Sequence, residues 1–95
     1  MSYKLTFRVS AKKEWDKLDA SVREPLKKKL LERLEQPRVP SAALSGMQDC
    51  YKIKLRRIGF RLIYEVSDST ITVTVVAVGR RDASTATELQ GADLG

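Results

Sequence analysis

The sequence predicts a single α+β domain of order β-α-α-β-β-β, with two N-terminal helices packed on one face of the sheet. Three observations predict it. Tyr3 to Val9 alternates apolar and polar residues, the period of a half-buried strand. Val22, Leu26, Leu30, Leu31 and Leu34 recur at helical spacing. From Cys50 onward, period-2 alternation returns in three segments separated by turn residues, which describes a meander. At 95 residues the chain makes one domain, spanning residues 1–95, with one modest core.

In the first strand, Tyr3, Leu5, Phe7 and Val9 face one way, and Lys4, Thr6 and Arg8 the other. Ser10 offers an N-cap for a first helix of about two turns, built on Ala11, Trp15 and Leu18. Trp15 lies on the stripe that must face the core, so packing is expected there rather than stacking on a base. Asp19-Ala20-Ser21 breaks this helix. Ser21 with Glu24 three residues on is a capping-box signature, and Pro25 falls in the first turn, where proline is tolerated. Lys27, Lys28, Lys29 and Arg33 crowd the polar side of the second helix. Such a run is ordinarily a solvated face; the functional alternative is attraction to RNA phosphates.

Gln36 to Gln48 is the one long irregular segment, with Pro37 and Pro40 stopping the helix. The hairpin follows. Ser67-Asp68-Ser69 marks a second turn, and Thr70 to Val78 is the most β-prone stretch. Here Ile71, Val73, Val75 and Ala77 alternate with Thr72, Thr74, Val76 and Val78. Apolar on both sides toward its end, this segment is expected to be a central strand. Gly79-Arg80-Arg81 ends the sheet, and the Thr-, Ser-, Ala- and Gly-rich residues 84–95 are expected to be weakly ordered.

Composition excludes several function classes. The chain has no histidine and one cysteine, Cys50, so no His-based triad, His general base or thiolate zinc site can be built from it. It has no glycine-rich phosphate loop, and its carboxylates are scattered along the helices rather than converging as a two-metal nuclease requires. Hydrolytic or transfer chemistry is therefore expected to be metal-free and cofactor-free, run by Lys, Arg, Tyr or Ser. No apolar run approaches the roughly 20 residues of a membrane span. A lone cysteine and an N-terminus without a signal-peptide core fit the cytoplasm. The net charge of +6, from 18 Lys and Arg against 12 Asp and Glu, favours nucleic acid or an acidic protein as partner.

The hairpin concentrates that charge. Tyr51, Ile53 and Leu55 point one way, and Lys52, Lys54 and Arg56 the other. After Gly59, Phe60, Leu62 and Tyr64 oppose Arg61, Ile63 and Glu65. With Arg56 to Gly59 as the loop, Leu55 pairs with Phe60, Ile53 with Leu62 and Tyr51 with Tyr64, which gathers the apolar side chains on one face. Lys54 then stands opposite Arg61, with Lys52 beside them. Like charges across a strand pair are destabilising by roughly 0.2–1 kcal/mol. A basic solvated face is one reading; a preorganised polyanion site on rigid strands is the other.

The element order, Asp49-Cys50-Tyr51-Lys52-Ile53-Lys54-Leu55, Gly59-Phe60-Arg61-Leu62-Ile63-Tyr64 and Val78-Gly79-Arg80-Arg81 together resemble the RelE family of bacterial toxins. Lys13-Glu14-Trp15-Asp16-Lys17-Leu18 and the Lys27-Lys28-Lys29-Leu30 helix extend the likeness to residues 1–82. The resemblance implies a compact fold with a four-stranded antiparallel sheet and helices on one face. It implies a ribosome-dependent mRNA endonuclease acting in the A site, with the ribosome and its small-subunit rRNA as partners and a RelB-type antitoxin as inhibitor. A toxin–antitoxin heterotetramer binding operator DNA is a form it allows.

Within that resemblance, Lys52, Lys54, Arg61 and Arg81 are the candidate catalytic residues. Lys27, Lys28, Lys29, Arg33, Arg56 and Arg80 are candidate RNA contacts. Attack by the substrate's own 2′-hydroxyl requires a base and cations around a phosphorane. Lys52 and Arg61 near Lys54 are expected to depress its pKa by like-charge repulsion and so make it the base. Arg81 matches the family residue that serves the leaving group. The family's tyrosine after this arginine is matched by Thr87, and its next arginine by Ala83, so the tail from residue 83 diverges and reduced activity is expected. Two other classes stay open: a ParE-like gyrase poison on the same fold, and a module that only binds antitoxin and RNA.

Overall fold

A computed structural model describes residues 2–80 of the chain. The expected order is present: β1 (Lys4–Phe7), α1 (Val9–Lys17), α2 (Ala20–Glu35), a 3-10 turn (Pro40–Ala42), β2 (Cys50–Leu55), β3 (Phe60–Ser67) and β4 (Thr72–Arg80). The strands form one sheet in the order β1-β4-β3-β2. The meander is antiparallel, but β1 pairs with β4 in parallel, Lys4 opposite Thr72 through Phe7 opposite Val75. The sheet is therefore mixed, not purely antiparallel. The reason is parity. The helices and connector return the chain so that β2 runs in the same sense as β1; two hairpin reversals then leave β4 running that way too. A parallel neighbour needs a long crossover, and here residues 8–71, between β1 and β4, supply it.

Several boundaries differ from the alternation pattern. The ladder ends where the Arg8 N–H donates to the Val75 carbonyl at 3.0 Å, and the next residues turn into α1. Val9 is thus helical and 76% exposed rather than the end of a strand, and Arg8, not Ser10, is the N-cap. In α2 the cap is Asp19, whose carboxylate accepts from the Ser21 N–H at 3.2 Å and the Ser21 hydroxyl at 2.6 Å. Ser21 is consequently inside the helix, and Pro25 sits two residues deeper than the capping-box reading places it.

The core lies between the helices and one sheet face. α1 packs over β4 and α2 over β2. Leu26 and Leu30 are 0% and 1% exposed, and burial of each such side chain contributes roughly 1.5–3 kcal/mol. Trp15 is buried with its ring centroid 5.4 Å from that of Phe7, as core packing requires. Leu31, assigned to the buried stripe by spacing, is 48% exposed, because Val22, Leu26, Leu30 and Leu34 already fill the contact face. Among the described residues, no helix is long and apolar enough to cross a membrane.

β4 is central, as its composition requires, but starts at Thr72 rather than Thr70. Ile71 is left in the turn at a φ of 51°. It also carries a bulge. Ile63 pairs with Ala77 while Tyr64 pairs with Val75, so Val76 is an extra residue. Above the bulge the alternation changes phase: Val78 joins the core opposite Leu62, Gly79 stands opposite Arg61, and Arg80 opposite Phe60.

Candidate active site

The β2–β3 hairpin has the register read from its alternation, Tyr51 opposite Tyr64 through Leu55 opposite Phe60. Gly59 closes the loop with a φ of 68°, and its N–H donates to the Leu55 carbonyl at 2.8 Å. Lys54 is the cross-strand partner of Arg61, and Lys52, two residues back on β2, shares their face. On its other side Arg61 faces Gly79, which presents no side chain. Arg61 is 6% exposed and is the only buried charged residue among those described; Lys52 and Lys54 are half-buried. A buried cation is costly unless its surroundings compensate it, so this face is a built environment rather than a solvated one. Its neighbour is a small apolar cluster of Leu44, Cys50 and Ile63, against which Met47 and Val76 pack.

A groove of about 370 Å³ runs along the outer edge of β2, between that strand and α2. Lys29, Arg33, Lys52, Lys54 and Arg56 line it, with Glu32 as its one carboxylate. Lys29, Lys54 and Arg56 also line an adjoining groove that reaches the hairpin loop at Arg57 and Ile58. The structure thus brings together five of the candidate cations, with Arg61 in register beside them. Others lie apart. Lys27 lines a cleft on the far side of α2 with Leu5, Phe7 and Trp15, and Lys28 is exposed on that helix. Arg80 is on the helix side of the sheet, its guanidinium 5.3 Å from the Phe60 ring centroid. Arg81, Ala83 and Thr87 lie outside the described residues.

Arg33 does not simply project into solvent. Its Nη1 donates to the Lys52 carbonyl at 3.2 Å and to the Tyr64 hydroxyl at 2.9 Å, and that hydroxyl donates to the Pro37 carbonyl at 2.6 Å. Arg38, which charge patterning did not single out, clamps the connector to the end of the sheet where β2 begins and β3 finishes. It donates to Asp49 at 2.9 Å, to the Tyr51 hydroxyl at 3.2 Å and to Asp68 at 2.8 Å. Hydrogen bonds from Arg38 and then Tyr3 hold the Asp68 carboxyl below its usual range. Burial pushes the Tyr64 hydroxyl up. Burial, with Glu65 and Asp49 adding to it, likewise pushes the Cys50 thiol up, so this cysteine is a packed residue and a poor nucleophile.

The site can therefore hold a polyanion and, with a lysine next to a second cation, shift a proton near a phosphate. The family described as ParE toxin of type II toxin–antitoxin system, parDE, matches residues 5–84. The mRNA interferase toxin RelE of Escherichia coli K12 is 55% identical over 84 residues, 88% of each chain. The crystal structure of isolated E. coli RelE superposes with a TM-score of 0.84 at 50% identity, covering 92% of this chain and 93% of that one. RelE in the intact E. coli RelBE toxin–antitoxin complex superposes with a TM-score of 0.83 at 52% identity, covering 86% and 100%. With a match across most of its length and relatives this near, the chain belongs to the RelE family, within the ParE toxin family of type II toxin–antitoxin systems.

Proposed function

We propose that this chain is the toxin of a type II toxin–antitoxin pair and a ribosome-dependent mRNA endonuclease. It acts in the cytoplasm on mRNA in the ribosomal A site, and a RelB-type antitoxin holds it inactive. The observation that carries the reading is the pairing of Lys54 with a buried Arg61 on a face shared with Lys52. Similarity to an mRNA interferase supports the reaction class, and likeness to the RelBE complex supports the partner.

The reaction follows from the residues. The Lys54 amine takes the proton of the substrate 2′-hydroxyl. The 2′-oxygen bonds to phosphorus, the bond to the 5′-oxygen breaks, and the products are a 2′,3′-cyclic phosphate and, once the 5′-oxygen takes a proton from water, a 5′-hydroxyl. Arg61 across the ladder makes a protonated Lys54 electrostatically costly, which makes its neutral amine available as a base. Arg61 and Lys52 stabilise the extra charge of the phosphorane. Arg81 balances charge on the leaving oxygen and keeps its own proton. Lys29 and Arg56, in the groove beside Lys54, take flanking phosphates. No step needs a protein-bound metal.

The test is purified protein on programmed ribosomes, with cuts mapped by primer extension. A-site cuts that Lys54→Ala slows by about 10²–10⁴-fold, the usual worth of a general base, support the reading. Gyrase-dependent DNA breaks would indicate ParE-like action instead, and neither activity would leave a binding module.

A further inference from the structure

The lysines of the proposed site sit on an edge strand, and edge strands are held on one side only. Along the outer edge of β2, the connector covers the first part: Ala43 bridges Tyr51, and the Leu44 N–H donates to the Cys50 carbonyl at 3.0 Å. The bridge goes no further. Beyond it the Lys52 carbonyl is taken by the side chain of Arg33 from α2. The same Nη1 reaches the hydroxyl of Tyr64, which is 0% exposed and donates its own hydrogen bond to the Pro37 carbonyl. Tyr64 also stacks on Tyr51 of β2, with ring centroids 5.7 Å apart.

We infer that Arg33 is a positioning residue. Through one nitrogen it ties the Lys52 peptide of the edge strand to the buried Tyr64 hydroxyl, and so fixes where Lys52 and Lys54 stand relative to Arg61. The inference rests on the proposed function for its consequence in catalysis, but not for its structural content. It replaces the reading of Arg33 as an RNA-phosphate contact. The polarity of the network supports it. The Tyr64 hydrogen is committed to Pro37, so the hydroxyl oxygen is left to accept, and a cation between that oxygen and the Lys52 carbonyl completes both. Misplacement of a reacting group by about an ångström can cost on the order of 10²-fold in rate.

Three variants separate the roles. Arg33→Met removes the donor. Tyr64→Phe removes the hub hydroxyl without changing charge. Arg33→Lys keeps one nitrogen able to donate to both acceptors. The expected result is a fall in single-turnover cleavage rate on the ribosome of about 10–100-fold for Arg33→Met, with a smaller fall in the same direction for Tyr64→Phe. Half-saturation is unchanged in both, and Arg33→Lys recovers most of the rate. If Arg33→Met instead raises half-saturation and flattens the salt dependence while Tyr64→Phe cleaves normally, Arg33 is a phosphate contact and the inference is overturned. Amide hydrogen exchange supplies a readout independent of cleavage. Protection at Ile53, which pairs with Leu62 of β3, falls in Arg33→Met and in Tyr64→Phe, and is kept in Arg33→Lys. Unchanged protection overturns the inference even if the chain proves not to be a ribosomal nuclease, and absence of cleavage with the expected exchange changes overturns only the proposed function.

Discussion

Gly59 is where the hairpin register is set, and it offers a sharp test of why the sequence folds as it does. Its φ of 68° lies in the left-handed region, and a methyl group added there meets nothing within 4 Å. Steric contact with neighbours therefore contributes nothing to the cost of Gly59→Ala; the backbone conformation contributes all of it. A non-glycine residue in this region costs roughly 1–2 kcal/mol. For a domain of this size each kcal/mol moves the unfolding midpoint by about 4–8 °C, so Gly59→Ala should lower Tm by about 4–16 °C. Gly59→Asn carries a larger side chain into the same open space, but asparagine tolerates left-handed backbone. It should lose clearly less than alanine does. The assay is thermal and urea unfolding followed by circular dichroism. An alanine variant as stable as the parent, or an asparagine variant destabilised as much as alanine, would refute the reasoning.

Ile71 presents the converse: a β-branched residue with a φ of 51° and 45% exposure, strained in the turn and burying little. Ile71→Asn should stabilise by about 1 kcal/mol in denaturant titration, and a loss of stability would contradict this. Acid weakens the fold through Asp68, whose native pKa lies below the ordinary 3.8. Its contribution is complete above that value and is lost as pH falls through the native one. Asp68→Asn should remove that part of the Tm-against-pH slope below about pH 4, and an unaltered slope would count against the Arg38 clamp. Thr87→Tyr should speed single-turnover cleavage at least about tenfold, because an aromatic face is worth roughly 1–3 kcal/mol per stacked base. An unchanged rate would mean that position 87 takes no part in the site.

What the sequence revealed, and what it did not, divides by distance along the chain. The β2–β3 pairing was legible because its two strands share one turn, and a one-residue slip would turn Ile53 and Leu62 out of the core. The β1–β4 pairing was not, because alternation in Tyr3 to Val9 reports a face and carries no direction. Asp19 and Ser21 are both good caps; in the structure the Asp19 carboxylate accepts from the Ser21 N–H and hydroxyl, which leaves Ser21 inside the helix. Arg33 and Arg38 look like any surface cations in the sequence. Their partners, a carbonyl on β2, the Tyr64 hydroxyl and two distant carboxylates, exist only once the sheet is assembled.

The bulge at Val76 matters most for the site. Val75-Val76-Ala77-Val78 is apolar at every position, so its alternation has no phase to read. Extending the lower register without the bulge would set Val78 opposite Arg61 and Ala77 opposite Leu62. The face that carries Lys52 and Lys54 would then gain a branched apolar side chain beside its guanidinium, and the core would receive an alanine where Leu62 now meets valine. The extra residue reverses both: Val78 is 2% exposed against a fully buried Leu62, and Arg61 is left facing Gly79. Bulges re-aim side chains in this way and are over-represented beside active sites. The same change of phase sends Arg80 to the other side of the sheet, against Phe60. One unpaired residue in β4 therefore decides both that the buried cation has glycine as its neighbour and that Arg80 is withdrawn from its face.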